Sequence, residues 1–135
     1  MTTSPAINPL PMHVREPLAK GALVATANTN RDGTGVIVEV VSAGPLGARI
    51  DHVDCIAESN STTGFIRFFT RSRGGQWKLK GELAVTAATP SGSVACYTDV
   101  WTPLGGILTL PPYAQFGAST HNTENFVVNP EGGHF

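Results

Sequence analysis

A chain of 135 residues is long enough for one domain and too short for two ordinary ones. Nine Lys plus Arg against ten Asp plus Glu leave a net charge of −1, which argues against the basic stripe of a non-specific nucleic-acid binder and the polybasic patch of a membrane-surface protein. Charged residues make up only 14% of the chain, against about 25% in ordinary soluble domains, so Thr, Ser and Asn carry the polarity and the surface repels neighbours weakly.

Residues 1–19 read as an extended arm. Pro5, Pro9, Pro11 and Pro17 break helix and sheet ladders, because each lacks a backbone N–H and has a fixed φ. Ile7, Leu10, Met12, Val14 and Leu18 make the arm too apolar for a simply solvated tail. They are expected to pack on a neighbour or along the domain's own edge.

Strand signals follow from residue 20 onwards. The run 22–27 is short and apolar, and Asp32-Gly33 in the loop 28–35 is a strong turn signal. Residues 36–41 are β-branched and resist helix formation. A turn at 43–47 precedes a third strand, 49–58, and a polar loop at 59–64 precedes a fourth, 65–70. After the turn at 72–75, Trp77, Leu79, Leu83 and Val85 share one parity while Lys78, Lys80 and Glu82 share the other. That alternation predicts a sheet with one buried and one wet face. Residues 93–101 read as a sixth strand with Val94, Cys96 and Val100 on one side and Tyr97 and Asp99 on the other. Residues 107–110, 115–119 and 125–128 supply three more. Many short strands punctuated by 15 Gly and 10 Pro predict an all-β antiparallel sandwich, jelly-roll-like, spanning 20–135.

The fourth strand bears on assembly. Phe65 and Phe69 lie on one face, Ile66 and Phe68 on the other, and only Arg67 is polar. A sandwich buries one face of each sheet in its own core, so the second apolar face calls for a cover. Ile66 and Phe68, with the arm's Ile7, Leu10, Met12, Val14 and Leu18, are therefore the candidate partner-binding residues.

Catalytic constellations are weak. His52 and Asp54 share a strand face, but a surface His beside a carboxylate accounts for them without a metal. His121 in Ser119-Thr-His-Asn122 reads as part of a turn network, and His134 as a mobile terminal residue. Asn28, Asn30 and Asp32 have the alternation of calcium ligands, yet the far acidic ligand is missing, so they are read as capping their own turn. Asp51, Asp54 and Glu58 on one strand are too dispersed for a glycosidase pair. Cys55 and Cys96 lie within strand runs and read as buried free thiols. Trp77, Trp101, Tyr97 and Tyr113 are candidates for an aromatic sugar platform; Trp77 follows the core parity, whereas Trp101 stands at a strand end before Thr102-Pro103 where it is open to exposure, which sustains a carbohydrate-binding module as an alternative. No signal peptide or apolar run of membrane-spanning length is recognised. No enzyme activity, cofactor, metal, nucleic acid or membrane partner is expected.

The segments Thr26-Ala-Asn-Thr-Asn-Arg-Asp-Gly-Thr-Gly35, Arg49-Ile-Asp51, Thr62-Thr-Gly64 with the following Phe65–Phe69 strand, Val85-Thr-Ala-Ala-Thr-Pro-Ser91, Ala118-Ser-Thr-His-Asn122 and Glu131-Gly-Gly133 give the chain a resemblance. Over roughly 26–133 it resembles small structural proteins of tailed bacteriophages and prophages. That resemblance implies a β-sandwich virion component, assembled in the bacterial cytoplasm, with no catalytic residues carried over. The expected role is capsid decoration or cement. The expected partners are copies of itself, as a homotrimer, and the major capsid protein or other virion proteins. A tail or fibre component is the alternative within the same family.

Overall fold

The computed structural model describes residues 14–135, so Ile7, Leu10, Met12 and His13 lie outside the described residues. Its elements are β1 (Glu16–Pro17), β2 (Ala22–Val24), β3 (Val38–Ser42), β4 (Ala48–Ala57), β5 (Gly64–Arg71), β6 (Lys78–Val85), β7 (Thr98–Trp101), β8 (Leu108–Leu110), β9 (Gln115–Thr120) and β10 (Phe126–His134). All ladders between them are antiparallel. The protein is an all-β sandwich of two antiparallel sheets, as its alternating short runs foretell.

The first sheet runs β1–β10–β4–β7, with β2 also on β10 and β8 also on β4. Both of its edges are broken strands. β2 pairs with residues 126–128 of β10 and β1 with 133–134. On the other side, β7 lies along residues 53–56 of β4 and β8 along 48–50. The loop 102–107 interrupts that edge where β4 carries Asp51 and His52. Broken edges leave no long unpaired ladder for another chain to copy. The second sheet runs β3–β9–β5–β6.

Ile50, Val53, Cys55, Ile66, Phe68, Phe116, Phe126 and Val128 fill the space between the sheets, each at most 1% exposed. Phe68 stacks on Trp101 at 4.3 Å between ring centroids and on Phe116 at 5.7 Å. Gly81 makes room for this stack: a Cβ there would lie 2.6 Å from the Trp101 ring.

Four sequence expectations need correction. β6 carries a bulge, because Phe68 pairs with Gly81 but Phe69 with Leu79. The extra residue, Lys80, moves Leu79 onto the outer face, where it is 40% exposed, while Leu83 and Val85 stay inside. In the run 93–101 only Thr98–Trp101 is strand, and Trp101 is buried where its place at a strand end suggested exposure. Tyr97 and Trp101 are buried, while Val94 and Val100 are about half exposed. The larger aromatic area wins the core position. β10 reaches His134, which pairs with Ala48 and Glu16 and so is an ordered strand residue. Pro130 is tolerated there because residues 129–132 face the gap between β2 and β1, where no ladder partner needs its missing N–H. Finally, the domain takes in the end of the arm. The Arg15 N–H donates to the His134 carbonyl, the Leu18 N–H to the Gly132 carbonyl, and Leu18 is buried in the core at 3% exposure.

Candidate interaction surfaces

The partner-binding role expected of Ile66 and Phe68 is not open to them. Both point between the sheets and are fully buried. The outward residues of β5 are Phe65, Arg67 and Phe69, and Arg67 and Phe69 are fully buried too. Their cover comes from the chain's own connection between β2 and β3, not from a second subunit. That connection leaves β9 at an Ala27–Thr120 bridge and sets the Asn28 carbonyl 3.5 Å from the Arg67 guanidinium. Arg31 reaches Glu82 on β6. Gly33 then passes so close to the Trp77 carbonyl that a Cβ would fall 2.1 Å from it, and Ile37 returns over Gly117. Only Gly fits at position 33, with φ of +88° and that contact.

Beneath this flap Arg67 is paired on two of its nitrogens. Its Nε donates to Glu82 at 2.8 Å, one Nη lies 3.3 Å from the Nδ1 of His121, and the guanidinium sits 5.3 Å from the Phe65 ring centroid. His121 thus joins a turn and charge network, as its sequence context suggests. The Asn28–Asp32 segment caps itself. Asn28 donates to the carbonyls of Thr34 and Val36 and accepts from the Asn30 N–H. Asp32 accepts from the backbone and hydroxyl of Thr34, which hold its carboxyl below the usual range. These oxygens are occupied by turn bonds, which favours the capping role over a calcium loop.

The first sheet's outer face is a different surface. Across it Val127 pairs with Leu23 on one side and Ile56 on the other, and Asp54 pairs with Val100. Paired residues share a face, so Leu23, Val127 and Ile56 form a row with Val100 diagonal to Ile56. Leu23 is 50% exposed, Ile56 37% and Val100 48%. Nothing in the described residues lies over this row as the flap lies over β5. The other half of the same face is polar: Arg49 pairs with Asp51 at 3.0 Å, His52 with Asp54 at 3.6 Å and Lys20 with Glu131 at 3.5 Å. At the break in the edge beside Asp51 and His52, the β7–β8 loop turns at Pro103–Gly106, the Gly106 N–H donating to the Pro103 carbonyl. This turn presents Leu104 at 92% exposure, followed by Ile107 at 54%. Val14, from the arm, is exposed beside β10.

Other candidate positions resolve simply. Trp101 is buried in the aromatic stack and offers no sugar platform. Trp77 is buried as well, with Arg71 packed 4.1 Å from its ring centroid. Cys55 is a buried free thiol pushed up to about 12, mainly by loss of water and secondarily by Asp54 and Asp99; Cys96 is free and half-buried. Both the flap and the outer row escaped the sequence reading. Leu23, Ile56, Val100 and Val127 come from four separate strands, and that they lie side by side depends on long-range register.

Searches against protein-family models, curated proteins and solved structures returned no match to this chain.

Proposed function

We propose that this chain is a structural protein of a bacteriophage virion, acting by binding other subunits and not by catalysis, and most specifically a capsid decoration or cement protein. The observation that carries the reading is the apolar row Leu23–Val127–Ile56 with Val100, on a sheet face that none of the described residues covers. The protein has already filled its core and roofed its second sheet. A further apolar row therefore suits contact with another protein. Low charge density suits the same role.

The order of pairing supports a finer reading of the fold. With each broken edge counted as one strand, first pairs with last (β1/β2 with β10), second with seventh (β3 with β9), third with sixth (β4 with β7/β8) and fourth with fifth (β5 with β6). That nested order is the jelly-roll pattern, an arrangement common to viral capsid and lectin domains.

In this account copies associate as trimers through the apolar row and sit over joints between major capsid subunits. Residues 1–13 extend the contact to an adjacent subunit. Covering apolar surface contributes about 25 cal/mol per Å² before association costs, so modest patches suffice once a shell repeats them. Pelleting with shells stripped of this protein tests the idea. Full-length chain is expected to co-sediment, and a chain lacking residues 1–13 to fold normally but bind at least tenfold more weakly. Equal binding by the shortened chain removes the arm from the account. No binding by either removes decoration altogether and leaves a tail location to be sought by labelling the virion.

A further inference from the structure

The chain's one non-glycine residue at positive φ among those described is Tyr113, at φ 62°. A bulky residue seldom adopts that conformation, and held strain of this kind tends to mark a working site. Tyr113 is held by its turn: its N–H donates to the Gly44 carbonyl and the Ala114 N–H to the Pro111 carbonyl. The result is a ring left 47% exposed, with the Arg73 guanidinium 5.6 Å from its centroid. Arg73 comes from the β5–β6 hairpin, so two separate loops meet at the ring.

Beside them lies an open cleft of about 440 Å³, lined by Thr70, Arg71, Ser72, Gln76, Lys78 and Pro111. Pro111 joins the cleft to the Tyr113 turn. The hairpin is strongly basic. Arg71, Arg73, Lys78 and Lys80 fall in a stretch, 59–81, with no Asp or Glu. Arg71 is committed to Gln115 and Trp77. Arg73, Lys78 and Lys80 are exposed and enter none of the ion pairs among the described residues.

We propose that this end of the sandwich is a binding site for an acidic carbohydrate, a chain of sugars bearing carboxylates. The Tyr113 ring offers a flat apolar face for the C–H side of a pyranose. Arg73 and Lys78 supply cations for its carboxylate. Thr70, Ser72 and Gln76 supply hydroxyl and amide groups for its hydroxyls. A nucleic acid fits less well, because one cation at the exposed ring and one more in the cleft make a short footprint on a chain of net charge −1. The site lies on a different surface from the apolar row and does not depend on the virion reading.

Calorimetric titration of the full chain with a hexa-uronate tests this, with a neutral hexasaccharide and single-stranded DNA as the other arms. Tyr113→Gly removes the ring while keeping a residue at ease with the backbone angle, so folding is preserved. The hexa-uronate is expected to bind at least tenfold tighter than the neutral sugar and to lose at least tenfold in both Tyr113→Gly and Arg73→Gln. Failure to bind at millimolar concentration overturns the proposal. So does binding unaffected by Tyr113→Gly, or tighter binding of DNA than of the uronate. Shell binding unchanged in Tyr113→Gly would accompany success and keeps this site separate from the decoration account.

Discussion

Arg67 shows how one residue misleads a sequence reader. It breaks an otherwise apolar strand and so reads as the wet member of that face, yet it is fully buried, with Glu82, His121, Phe65 and the Asn28 carbonyl around it. A buried cation stripped of its carboxylate is costly, about 3–5 kcal/mol for a closed site. Glu82 is part-exposed, so Glu82→Gln is expected to cost less, about 2 kcal/mol, read as a lower melting temperature and earlier proteolysis within the flap 28–36. An unchanged melt would show that the flap does not depend on this pair. Alkaline pH probes the opposite kind of burial. The Cys55 thiol is raised from 9.0 to about 12, and the Tyr97 phenol from 10.0 to about 12, both first by burial and then by the Asp carboxylates nearby. Unfolded chains ionise these groups earlier than folded ones do. Their contribution to stability is therefore whole below pH 9 and declines as pH rises from 9 towards 12. Melting temperature is expected to fall across that window, and less steeply in Cys55→Ala. A profile equally steep in the variant would deny the thiol its part.

At the scale of the element, period-2 patterning located the strands but not their faces wherever the backbone departs from regularity. The β5 run was legible because its apolar residues are continuous, whereas in β6 the bulge at Lys80 flips Leu79 outward, which parity cannot reveal. Leu79→Lys is accordingly expected to cost under about 0.5 kcal/mol and Leu83→Lys about 2–3 kcal/mol, by chemical denaturation. Equal costs would mean the register runs straight through. The β10 extension over Pro130-Glu-Gly-Gly was illegible for another reason. Its residues carry poor strand propensity and are held by ladder bonds to β4 and by Arg15 and Leu18 on the far side. The arm's boundary was misjudged by the same logic. Pro17 looked like a strand breaker, but at a broken edge its missing N–H costs little, so Glu16–Pro17 pairs with β10 and Leu18 enters the core.

For the whole molecule, the surplus apolar surface lies in a different place from the one the sequence indicates. The sequence pointed to β5, whose second face the chain covers itself with the loop after β2. The row left uncovered by the described residues belongs to the first sheet and is assembled from β2, β10, β4 and β7, strands far apart in the chain. Only the sandwich topology brings them side by side. The central claim is that this row is an interface, and sedimentation velocity on the full chain tests it most directly. The account predicts a species heavier than the 14.2 kDa chain at micromolar concentration, reduced to monomer in Ile56→Asp with its melting temperature within a few degrees of the parent. A parent protein that sediments as a monomer across that range, indistinguishable from Ile56→Asp, would contradict it.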